Sequence, residues 1–144
     1  GNIYPIAEAD DPADRIPDAA LLAAVEAYLN EDARRPLGPA TIAALAFDEL
    51  EFDVDIANIS PNTVAMKAAI QTAVEDYLYA RRPLLFDDDP SPINMITAAQ
   101  LTKVCIDAGA EVATVTLKNS GGSPITSYTL EAYELAKLRT LSWV

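Results

Sequence analysis

The chain has 144 residues, 51% of them hydrophobic and 22% charged, a size and balance that suit one globular domain with a proper core. Ten basic residues against 22 acidic ones leave a net charge of −12, and such a chain repels phosphates, which argues against nucleic acid and anionic membranes as partners. The absence of histidine and the single cysteine, Cys105, exclude an internal disulfide, a cysteine-rich zinc site and any Ser-His-Asp or Cys-His nucleophile assembled within this chain.

Asn2 to Ala7 predicts a short edge strand, where Pro5 is tolerated. Glu8 to Pro17 is acidic, carries Pro12 and Pro17, and reads as a loop. Asp18 is a helix cap, and Leu21, Leu22, Val25, Tyr28 and Leu29 follow at helical spacing. This helix is expected to end near Ala33, with Arg34 and Arg35 at the negative end of its dipole and Pro36 as the stop. Thr41 to Ala46 predicts a short strand.

Glu49 to Ile59 is the most legible element. Leu50, Phe52, Val54 and Ile56 take one parity, and Glu49, Glu51, Asp53 and Asp55 the other. Strand side chains alternate between faces, so one face is core and the other strongly acidic. Ser60 then reads as a helix cap with Pro61 at the first helical position. Met66, Ile70, Ala73, Val74 and Tyr77 form an apolar stripe that closes at Arg81-Arg82-Pro83. The stop repeats that of the first helix, which we read as shared tail chemistry rather than duplication, because the segments that follow are unlike each other. Leu84 to Asn94 is an acidic loop containing Asp87-Asp88-Asp89-Pro90. Thr97-Ala98-Ala99-Gln100 is a capping box opening a third, short helix. Leu101, Val104, Cys105 and Ala108 are its buried positions and Gly109 is its stop. Glu111 to Lys118 is a strand rich in Val and Thr, Asn119 to Pro124 a turn, and Ile125 to Leu130 a further strand. Leu138 to Val144 closes the sheet.

None of these elements brings an obvious catalytic group. Asp87, Asp88 and Asp89 lack the alternating ligands, central glycine and distant glutamate of a calcium loop, so a solvated loop is preferred to a metal site. The stripe of Glu49, Glu51, Asp53 and Asp55 reads as a water-facing sheet surface, with docking of a basic partner as the second choice. A catalytic carboxylate pair requires a cleft and unequal environments, which an open sheet face does not supply. Capping of helix ends accounts for Arg34, Arg35, Arg81 and Arg82 without an anion. Cys105 sits on an apolar helix side and reads as inert core. Gly121-Gly122 lacks the lysine and the strand-loop-helix setting of a phosphate loop, and Trp143 is expected to pack into the core or an interface. Catalytic, cofactor-binding and metal residues are therefore all assigned as none.

The order of elements resembles the C-terminal part of baseplate J-like proteins, wedge components of contractile phage tails, especially the Mu-type branch. The matching text is Asp18-Ala19-Ala20-Leu21-Leu22-Ala23-Ala24-Val25 leading to Arg35-Pro36-Leu37-Gly38. The alternating strand, the helix from Pro61 to Tyr79 and the helix-strand unit from Thr97 to Thr116 follow in family order. The resemblance spans about Asn2 to Leu117, and the connection from Leu84 to Asn94 is longer than the family's. It implies a structural part of a phage or prophage tail baseplate, made in the bacterial host cytoplasm and assembled into the virion. Its implied partners are other wedge proteins and copies of itself, with no small-molecule substrate. The family carries no known catalytic residues, so none transfers.

The expected fold is α+β: a mixed, largely antiparallel sheet, two long helices from Ala19 and Pro61 on its apolar face, and a third short helix. We expect residues 1–144 to form one domain, and the start at Gly1 without methionine suggests a piece of a longer protein or a cloning scar. The alternative reading is an acidic binding module or a small carboxylate-based, metal-dependent enzyme using Asp87 to Asp89. The missing histidines weigh against it.

Overall fold

The structure, a computed structural model, describes residues 1–6, 15–31, 41–83 and 93–144. The chain is α+β, with three helices among the described residues and short and long strands in a mixed arrangement. It divides into two compact units, Gly1–Asp48 and Glu49–Val144.

In the first unit, β1 (Asn2–Ile3) pairs in parallel with β2 (Ala43–Ala44), and α1 spans Ala19–Asn30. Asp18 caps α1 by accepting from the Leu21 amide at 2.7 Å, as its residue type predicts. Both strands are shorter than the expected Asn2–Ala7 and Thr41–Ala46. Among the described residues, the far edge of β2 is met by side chains of α1 and not by a third strand. The Asn30 carboxamide donates to the Ile42 carbonyl at 2.7 Å and accepts from the Ile42 amide at 3.0 Å. Glu26 accepts from the Ala44 amide at 3.1 Å. An amide side chain thus stands where a neighbouring peptide would, and the edge is closed to further pairing. The helix ends at Asn30, with Glu31 as its C-cap, and so stops short of the expected end near Ala33; Arg34, Arg35 and Pro36, expected as its stop, lie outside the described residues. Tyr4 and Phe47 stack obliquely, with ring centroids 5.3 Å apart.

The second unit holds β3 (Asp48–Ser60, beginning at the unit boundary), α2 (Val64–Ala80), β4 (Met95–Thr97) and α3 (Ala98–Asp107). These are followed by β5 (Val112–Lys118), β6 (Pro124–Ile125), β7 (Ser127–Thr129) and β8 (Glu134–Trp143). Four strands form one sheet in the order β6-β5-β3-β8, and β4 pairs with β7 separately. β3 and β5 are antiparallel, with Val54 opposite Leu117 and Asp53 opposite Lys118. β8 runs parallel to β3, because the contacts Lys137–Glu49 and Val144 amide–Ile56 carbonyl climb both strands together. The sheet is therefore mixed.

The parity of β3 sets the core. Phe52, Val54 and Ile56 are 2%, 0% and 1% exposed, so their whole side chains leave water on folding. Ile70, Val74 and Leu78 of α2, Leu101 and Cys105 of α3, and Leu117 of β5 complete the same cluster. Each large apolar side chain so buried contributes roughly 1.5–3 kcal/mol. The helices supplying this core are α2 and α3; α1 is described with its own unit and has no buried residue. A bulge then changes the strand's facing. Asn58 has φ 53°, the register shifts between Ala57 and Ser60, and Ile59 rather than Asn58 packs against the core. Asparagine tolerates the left-handed region better than most residues, which suits it to this position.

Three local expectations are corrected. The second helix begins at Val64 and not at Pro61, with Thr63 as its cap accepting from the Met66 amide at 3.1 Å. Ser60 is still strand: its carbonyl accepts from the Glu111 amide at 2.7 Å, so the sheet holds the residue that would otherwise cap. The strand expected over Ile125 to Leu130 is two strands, β6 on the main sheet and β7 on β4, with the Thr126 carbonyl between them accepting from the Ala98 amide. The last strand begins at Glu134 and not at Leu138, since Leu135 and Ala136 are already buried. Thr97 caps α3 as expected: the Gln100 amide donates to its hydroxyl at 3.0 Å, and that hydroxyl donates to the Gln100 side chain at 3.2 Å, so the observed return contact is hydroxyl to side chain. Gly109 follows α3 at φ 110°, a conformation open to glycine and strained for other residues.

Candidate functional site

The polar face of β3 is the most developed charged arrangement among the described residues. Alternation places Glu49, Glu51, Asp53 and Asp55 on it, opposite the core side chains. Their partners come from both neighbouring strands. Lys137 donates to Glu49 at 2.8 Å. The Arg139 guanidinium grips Asp53 with two hydrogen bonds, Nε to Oδ1 at 2.9 Å and Nη2 to Oδ2 at 2.5 Å. Its Nη1 donates to the Ser120 carbonyl at 2.9 Å and lies 3.9 Å from Glu51. Lys118 pairs with Asp55. The planar guanidinium matches a carboxylate edge to edge, so Arg139 fixes direction as well as charge.

Asp53 is correspondingly held below the usual carboxylate range, chiefly by its hydrogen bonds to Arg139, with Lys118 adding attraction. Asp53 in turn raises the pKa of Arg139. Desolvation opposes both shifts, but hydrogen bonding outweighs it. The expected open acidic stripe is therefore a cross-strand ladder of four carboxylates and three cations. Glu51 is the loosest member, with 44% of its side chain exposed. Such a ladder orients and discriminates partners more than it adds affinity.

Its cations were not singled out from sequence. Arg139 is 86 residues from Asp53 and Lys137 is 88 from Glu49. A signal was present in Ala136-Lys137-Leu138-Arg139, which alternates as β3 does and places both cations on one parity. Glu134 was also missed. It is 9% exposed, accepts from the Tyr128 hydroxyl at 3.1 and 3.2 Å, and takes the Glu131 amide at 2.8 Å. These bonds close the turn into β8, and burial together with Glu134 raises the Tyr128 pKa.

The other residues singled out from sequence fall elsewhere. Asp87, Asp88 and Asp89, like Arg34 and Arg35, lie outside the described residues. Among the described residues no three metal-ligating side chains gather. Arg81 ends α2, its guanidinium 4.4 Å above the Tyr77 ring, and Tyr77 donates to Gln100 at 2.6 Å. Cys105 is fully buried and burial pushes its thiol pKa up, which disfavours the reactive thiolate. Gly121 and Gly122 form a turn in which the Asn119 side chain accepts from the Gly121 and Ser123 amides. Trp143 packs against the core with the Lys67 ammonium 5.3 Å from its ring centroid. No helix among the described residues is long and apolar enough to cross a membrane.

No protein-family model matches the chain, and no curated protein matches it.

Proposed function

We propose that the chain is a structural component of a contractile phage or prophage tail baseplate, acting through protein–protein contacts. Its partners on this reading are other wedge proteins and copies of itself, and its place is the virion tail after synthesis in the bacterial host. The observation that carries the proposal is element order. A helix capped at Asp18, a long alternating β3, the helix α2 and the α3–β5 unit succeed one another in the order on which the resemblance rests. The ladder on β3 supports the reading, because it stiffens a sheet face and sets a charge pattern for docking. The genes flanking the coding sequence test it. Sheath, tube and other baseplate genes on either side are expected; a neighbourhood of metabolic genes without tail components would overturn the assignment.

A further inference from the structure

We draw no further inference here: the strongest candidate, the apolar and unburied face of α1 with the open groove beside it lined by Ala19, Ala23, Ala27 and Ala44, carries nothing because no feature of the structure shows what covers it.

Discussion

Replacing Val54 by aspartate tests the facing of β3 most sharply. Val54 is 0% exposed and lies opposite Leu117 in the main apolar cluster. A carboxylate with no partner in such a place folds only in its protonated form. Taking an ordinary aspartate pKa near 3.9, protonation at pH 7 costs about 4 kcal/mol. Losing the valine's burial adds about 2 kcal/mol. The sum, about 6 kcal/mol, rivals the whole stability of an ordinary domain, about 5–15 kcal/mol. The folded pKa of the new aspartate is raised, so its penalty grows with pH above the unfolded value and shrinks towards pH 4. Urea titrations of Val54→Asp and wild type, followed by far-ultraviolet circular dichroism at pH 4 and pH 7, measure this. The variant is expected to be largely unfolded at pH 7 and to recover much of the deficit at pH 4. Asp53→Asn, one residue away on the opposite face, is expected to lose only a small fraction as much. Equal losses for the two variants, or a Val54→Asp deficit independent of pH, would refute the facing.

The ladder makes a second prediction about pH. Because Asp53 is held below the usual carboxylate range, its pairing with Arg139 stabilises the fold above the unfolded aspartate pKa and is lost as pH falls through the lower folded value. The melting-temperature gap between wild type and Arg139→Gln should therefore narrow as pH drops into the acid range, and added salt should narrow it at neutral pH. Thr97→Ala removes the cap of α3 and is expected to cost about 1 kcal/mol in a denaturant titration, with an unchanged dependence on denaturant concentration. Millimolar calcium or magnesium is expected to leave the melting temperature unmoved, whereas a saturable rise abolished by mutating Asp87, Asp88 and Asp89 would favour the metal-dependent alternative. Generic esterase, phosphatase, nuclease and glycosidase substrates should show background rates; reproducible turnover would contradict the structural reading.

Local rules carried the sequence reading where the deciding residues are close in the chain. The alternation of β3, the Asp18 and Thr97 caps and the Gly109 stop each depend on residues within a few positions, and each stands in the structure. Tertiary competition decided the rest. Ser60 is a good cap by type, but the sheet claims its carbonyl and leaves Thr63 to cap α2. The backbone at β2 is bonded on its far side by Glu26 and Asn30, side chains of a helix that sequence periodicity treats only as an apolar stripe. The single strand expected over Ile125 to Leu130 fails because Thr126 turns its backbone to α3, and alternation alone does not report such a change of sheet. The charged face was legible by half: its acids lie on one strand, while its cations arrive from two strands distant in sequence.

Mass spectrometry of purified, intact contractile tails from the producing strain tests the central claim most directly. The protein is expected in the tail particles at a constant ratio to other baseplate components, and to remain with the baseplate when sheath and tube are dissociated. Its recovery only in the soluble fraction, with none in tails that retain a complete baseplate, would contradict the account.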